Sequence, residues 1–289
     1  MRWLLSSLLL LQLLALGACS SGANDNAHTT ATTTITPSPT QVLTLVSRPQ
    51  QIIEMMKERG AQDEAAPALV ILSPTAGSVV QGPVVPVRLS LGGDLKGYAL
   101  YKDPVSGIGS HIHVILDNEP YEVCYDVSQA LELHQVSPGK HTLRVFASRP
   151  WHESYKNEAS FQMVSFLVTG DTEDSKSETT KPVISKFDPT KAMITYSRPQ
   201  GEYKGADAET IMIDFWLVNA KLKDDGGEYR IRYFIDDDEA RYIDKWQPVW
   251  LKGWTPGEHT VRLELLGADQ YPVKNGGYNI ITREITVVR

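Results

Sequence analysis

Through most of the chain, apolar and polar residues alternate with a period of two, in short runs bounded by turn residues. In the first half the runs are Val84 to Leu91, His111 to Leu116, Tyr121 to Val127, His141 to Ala147 and Phe161 to Val168. Gly92-Gly93, Asp117-Asn118 and Pro138-Gly139 punctuate them. In the second half they are Thr210 to Val218, Tyr229 to Ile235, Ala240 to Asp244, His259 to Leu265 and Ile280 to Val288. Their β-branched and aromatic content predicts strands throughout. Residues 50–59 break the pattern. Ile52, Ile53, Met55 and Met56 cluster there in helical spacing, which predicts a short helix.

The two halves are copies. Ser137 to Val145 (SPGKHTLRV) is matched by Thr255 to Leu263 (TPGEHTVRL) at an offset of 118, and Lys156-Asn157 maps onto Lys274-Asn275 at the same offset. Val114 to Glu119 maps onto Tyr233 to Asp238 at an offset of 119. Blocks kept in order at a nearly constant offset mark a tandem duplication. Six or seven short strands in about 100 residues is the signature of an immunoglobulin-like or fibronectin-like sandwich. The expected fold is therefore all-β, a tandem duplication of an Ig-like antiparallel β-sandwich. Residues 67–169 form the first sandwich, 170–181 a polar linker and 182–289 the second.

The start of the chain has a different character. Arg2 is followed by a Leu-rich run from Leu4 to Leu16, too short to span a bilayer, which takes about 20 apolar residues. Leu16-Gly17-Ala18-Cys19 resembles the lipobox of bacterial lipoproteins. That resemblance implies a signal peptide over 1–18, diacylation of Cys19 and a membrane-anchored envelope protein. Ser20 after the Cys resembles the sorting pattern for the outer membrane of Gram-negative bacteria. Residues 19–66 then read as a flexible tether, rich in Thr, Ser, Ala and Pro at its start, carrying the short helix near its end.

A net charge of −7 argues against nucleic acid as a partner. With Cys19 lipidated, Cys124 is left without a disulfide partner in the chain. Catalytic signatures are missing: there is no Gly-x-Ser-x-Gly elbow, no P-loop, and His152-Glu153 lacks the second His of a zinc-protease motif. The chain is expected not to be an enzyme.

Two patches carry chemistry that the second copy lacks. If Asn118-Glu119 or Asp117 to Pro120 closes the first copy's hairpin, His113 faces Cys124 and His111 faces Asp126. His111, His113, Cys124 and Asp126 then share a face, a ligand set suited to copper or zinc. The equivalent face of the second copy carries Arg230, Arg232 and Arg241, so it should be the solvent side. The long segment Gly92 to Ser110 could fold over it, and His134 is an optional extra ligand. The bland alternative is that these histidines make ordinary hydrogen bonds and that no cofactor is held. The second patch is the loop Arg149, Trp151, His152, Glu153 and Tyr155, read as a surface for a protein or glycan partner. Trp246, Trp250 and Trp254 lie four apart, a spacing that could make a stacking platform for sugars, but their counterparts Val127, Leu131 or Glu132, and Val136 are mostly apolar, so they read as core or inter-sheet edge. His141 and His259 recur after Pro-Gly and read as structural. The run from Ser110 to Ser154 resembles that of a set of uncharacterised bacterial lipoproteins, a likeness that implies no function.

The preferred expectation is a non-catalytic envelope module presenting the first domain's loops to a partner. The alternative is a copper or zinc module built on the histidine hairpin.

Overall fold

A computed structural model describes residues 41–170 and 187–289. The expected signal peptide, Cys19, the expected tether to residue 40 and the expected linker after Gly170 lie outside the described residues.

The chain enters through β1 (Thr44–Val46) and α1 (Gln50–Arg59). Pro49 starts the helix, its carbonyl accepting from the amides of Ile52 and Ile53, and Gly60 ends it at φ 56°. The first sandwich follows: β2 (Ala66–Ser73), β3 (Val79–Gln81), β4 (Val85–Asp94), β5 (His111–Leu116), β6 (Glu122–Cys124), β7 (Leu131–Leu133), β8 (Gly139–Ser148) and β9 (Phe161–Thr169). Its sheets are β2-β4-β7 and β3-β9-β8-β5-β6. The second comprises β10 (Met193–Arg198), β11 (Gly201–Lys204), α2 (Ala206–Glu209), β12 (Thr210–Val218), β13 (Arg230–Ile235), β14 (Arg241–Ile243), β15 (Val249–Lys252), β16 (Gly257–Leu266) and β17 (Ile280–Val288). Its sheets are β1-β15-β12-β10 and β11-β17-β16-β13-β14. Each copy is an Ig-like antiparallel sandwich in which one short strand, β3 or β11, joins the last strand in parallel.

The duplication extends to individual hydrogen bonds. His141 Nδ1 meets Asp117 at 2.7 Å and its Nε2 meets the Ser137 carbonyl at 2.8 Å. His259 does the same with Asp236 and Thr255, both at 2.8 Å. Asp117 and Asp236 sit at φ 52° and 51°, turn positions that a short acidic side chain tolerates. Asn157 donates to the Pro67 carbonyl, and Asn275 to that of Asp188, so each copy ties its opening segment to the same loop.

Burial shows how the copies are stacked. In β13 burial alternates, as in a sheet with one wet face, whereas β5, β8 and β12 are buried almost continuously. Ile112, Val114, Leu143, Val145 and Phe166 fill the first core, and Ile211, Ile213, Phe215, Leu263 and Ile281 the second. The outward residues of these strands form a third cluster in which Ile115, Tyr121 and Phe146 pack on Trp216. Phe161 stacks on Trp216 with ring centroids 5.4 Å apart. The two sandwiches are therefore packed sheet on sheet. Arg144 of β8 is bolted across this interface, donating to Thr195 at 2.9 Å and to the Asp117 carbonyl.

Part of the segment expected as a tether is built into the fold. β1 extends the second sandwich's sheet, pairing Thr44 with Lys252 and Val46 with Trp250, while Leu43 enters its core. Residues 48–63 then cross to the first sandwich, where Arg48 holds Glu153 at 2.8 Å and Asp63 holds Arg149 at 3.2 Å. Glycine is required where this strap docks. Gly253 has φ 103°, and a Cβ there would lie 2.1 Å from the Val42 carbonyl. Gly253→Ala should raise amide exchange at Thr44 to Val46 while the strands behind keep their protection. Unchanged exchange at β1 would refute this docking.

Candidate functional site

The histidine hairpin has a different register from the one expected. Ile112 pairs with Cys124 and His113 with Val123, one residue away from the anticipated alignment. Continued outward, this register leaves Asp117 to Glu119 as a three-residue connection rather than a two- or four-residue one. A one-residue slip turns every side chain of the partner strand to the opposite face. Cys124 accordingly joins the first core, its thiol donating to the Asp126 carbonyl at 3.2 Å. Burial pushes that thiol's pKa up. Asp126 is turned to solvent and bonded to Ser128. His134 is exposed beside Glu132. The expected set of His111, His113, Cys124 and Asp126 is therefore not assembled.

A different third side chain joins the two histidines. One ring nitrogen from each of His111, His113 and His152 lies within 4.8 Å of the other two. His111 and His113 extend from alternate positions of β5 onto the same face, and their Nε2 atoms are 2.9 Å apart. His152 comes from the loop after β8, held in a left-handed conformation at φ 68°. Backbone in this region costs energy for a non-glycine residue and persists only where its surroundings enforce it. Here the Arg149 carbonyl accepts from the His152 amide at 2.9 Å, and the Glu153 carbonyl accepts from the Arg149 amide at 2.9 Å.

Each imidazole has its Nδ1 engaged on the outside. That of His111 donates to the Gly109 carbonyl at 2.7 Å, that of His113 meets Ser197 Oγ at 3.3 Å, and that of His152 meets the Tyr121 hydroxyl at 3.1 Å. The Nε2 atoms of His111 and His113 are left to face each other. Tyr121 also stacks on His113 with centroids 3.6 Å apart. Without a cation the ring contacts form a consistent hydrogen-bond chain: Ser197 to His113, His113 to His111, His111 to Gly109. Burial holds the His111 pKa down to about 4, and burial with neighbouring positive charge pushes His113 and His152 well below the ordinary histidine range. All three rings are neutral near pH 7, the state in which an imidazole binds metal.

The face these residues occupy, expected to be solvent-exposed, is covered from three sides. Ser197 and Arg198 approach from β10 of the second sandwich, the loop 149–155 closes one end, and the strap lies beyond it. Within that loop Arg149, Glu153 and Tyr155 turn inward. Arg149 binds Asp63 and lies over the Tyr155 ring at 4.0 Å, and the Tyr155 hydroxyl donates to the Gln62 carbonyl at 2.8 Å. Glu153 is held by Arg48 and by the Trp151 indole N–H at 2.8 Å. Pro150, Trp151 and His152 reach an opening, a cleft of about 430 Å³ that they line with Ile52, Met55, Arg198 and Trp250. The two patches recognised in the sequence are one site. The expected loop Gly92 to Ser110 contributes too, through the Gly109 carbonyl and the Tyr98 hydroxyl, which donates to the His111 carbonyl at 3.1 Å.

No protein-family model matches the sequence, and no curated protein matches it. Among solved structures, the fibronectin(III)-like modules of Clostridium thermocellum CbhA align over 76% of this chain and 93% of theirs, at 11% identity and a TM-score of 0.26. The D00-D0 domain of intimin aligns over 78% of this chain and all of that one, at 8% identity and a TM-score of 0.23. SGBP-B of the Bacteroides ovatus mixed-linkage glucan utilization locus, in complex with a mixed-linkage heptasaccharide, aligns over 77% of this chain and 48% of its own, at 11% identity and a TM-score of 0.23. These likenesses to sandwich modules bear on neither ligand nor partner.

The tryptophans expected in the core divide by role. Trp254 is in the second core, Trp250 is buried against the strap, and Trp246 is partly buried against Trp216.

Proposed function

We propose that this chain is a lipid-anchored envelope protein whose two sandwiches together hold a transition metal, zinc or copper, on His111, His113 and His152. The carrying observation is the convergence of three imidazole nitrogens, two of them on fully buried rings, with each ring oriented by an outer hydrogen bond at Nδ1. Such outer partners fix the tautomer and aim the second nitrogen at a metal. With metal–nitrogen bonds of about 2.0–2.1 Å, two ligands at right angles stand about 2.9 Å apart. His111 and His113 already have that spacing. One ion can bridge nitrogens up to roughly 4.2 Å apart, and the three ligand nitrogens lie within 4.8 Å of one another, so at most a small closure of the group would complete the set. The role is binding, with the lipid at Cys19 keeping the protein on the membrane and the second sandwich acting as part of the site rather than as a spacer.

The test uses the full chain in detergent, stripped with a chelator and titrated with Zn²⁺ and with Cu⁺. One equivalent should bind, His113→Gln and His152→Ala should lose it, and Cys124→Ser should keep it. X-ray absorption should show nitrogen neighbours and no sulfur. Absence of stoichiometric binding, or a sulfur ligand, would overturn the assignment.

A further inference from the structure

The three imidazoles leave the proposed centre incomplete in coordination and in charge. Among the described residues no fourth His, Cys, Asp or Glu joins the group. Zinc with nitrogen ligands takes four or more donors, so with zinc one position stays open. Three neutral rings also leave the charge of a divalent ion uncompensated in a buried place, a state that proteins avoid by pairing.

The nearest charged group is of the wrong sign to compensate. Arg198 follows the Ser197 that orients His113, and its guanidinium lies 5.4 Å from the centroid of Tyr121, the ring stacked on His113. It donates from Nη1 to the Gln200 carbonyl and the Tyr203 hydroxyl, while its buried Nε has no hydrogen-bond partner. An open metal position and the Arg198 guanidinium, whose charge acts on all three imidazoles and which lines the cleft with His152, select a ligand with two adjacent acceptor oxygens and a negative charge.

The cleft indicates what else that ligand carries. Arg198 and His152 share its wall, and at about 430 Å³ it exceeds the needs of a chloride or hydroxide. Ile52, Met55, Trp151 and Trp250 give it apolar surface, which rewards an apolar body. Glu202, Asp207 and Glu209 also line it, which penalises a second negative charge.

Resting on the metal-centre reading, we infer that the centre takes an exogenous small monocarboxylate with an apolar tail, one carboxylate oxygen on the metal and the other on Arg198. Residues from both sandwiches and the strap are then needed for one ligand, which accounts for a strap built across the cleft.

The experiment uses the full chain loaded with Co²⁺, whose visible spectrum reports exchange at the open position. Hexanoate, acetate, adipate and chloride are titrated in turn. Hexanoate should shift the spectrum and bind at least about ten-fold more tightly than acetate or adipate, with chloride weakest. Arg198→Gln should weaken hexanoate about ten-fold or more with cobalt stoichiometry intact, the scale expected for losing a charge-assisted hydrogen bond. Arg198→Lys should recover part of the loss. If cobalt binds but hexanoate leaves the spectrum unmoved, or binds no better than chloride, or Arg198→Gln binds it as the parent does, the carboxylate site is refuted and the metal centre stands. If cobalt does not bind at all, both fall.

Discussion

Asp214→Ala should destabilise the protein by about 3–5 kcal/mol, the cost of breaking a buried ion pair by removing one partner. Asp214 lies on β12 of the second sandwich, fully buried, yet all its side-chain partners belong to the first. Its Oδ1 accepts from Lys156 Nζ at 2.8 Å, and its Oδ2 from the Ser154 amide at 3.1 Å and hydroxyl at 2.7 Å. Removing the carboxylate orphans two donors on a fully buried serine and leaves the ammonium with the Phe215 carbonyl and the Ser154 hydroxyl. Lys156 retains some access to solvent, which favours the lower end of the range. Because Ser154 follows the histidine loop, the substitution should also loosen His152. Urea unfolding, compared with Glu239→Ala at an exposed turn, measures the effect. A loss below about 1 kcal/mol would show that the copies are not held together here.

The metal-free protein should lose stability as pH falls through the window from about 6.5 to about 4. An unfolded histidine titrates near 6.5. The folded His111 does so at about 4, and His113 and His152 lie well below the ordinary value because burial penalises their charged forms. Within the window the unfolded chain binds protons that the folded chain refuses, so acid favours unfolding. For His111 alone the loss reaches about 3 kcal/mol by pH 4. His141 works in the opposite direction. Its bonds to Asp117 and Ser137 raise its pKa, a stabilisation present in acid and lost as pH rises. Three groups outweigh one. Asp103, Asp126 and Asp188, held down by hydrogen bonds from neighbours, add their own losses only below about pH 4. Urea midpoints at pH 7.5, 6 and 5 should fall in that order, and His111→Asn should flatten the curve. Midpoints independent of pH would mean that the rings are not buried neutral.

What the sequence determined by itself is the repeated local architecture. Thr210–Val218 and Ile280–Val288 are strands as the alternation predicted, and the helix runs from Gln50 to Arg59 as its apolar cluster predicted. These depend on neighbours in the chain: side-chain period, turn residues and β-branching. The repeat also separated His141 and His259, alike in both copies, from His111, His113 and His152, present in one. That difference was the legible signal for the site.

Tertiary structure decided how those residues meet. A period of two says which residues of one strand share a face, but the partner's register follows from the turn, and three residues in place of two moved Cys124 from the histidines into the core. Short strands such as β1, β7 and β15 have too few residues to show a period, so the strap's role was invisible. His152 could not be counted as a third ligand, because 39 positions separate it from His113 and only the β5–β8 pairing and the turn at Arg149 bring it back. Nor could the outer face of β5 be known to be covered. Its cover is the second sandwich, and a sheet's wet or dry face depends on what packs against it rather than on its own sequence.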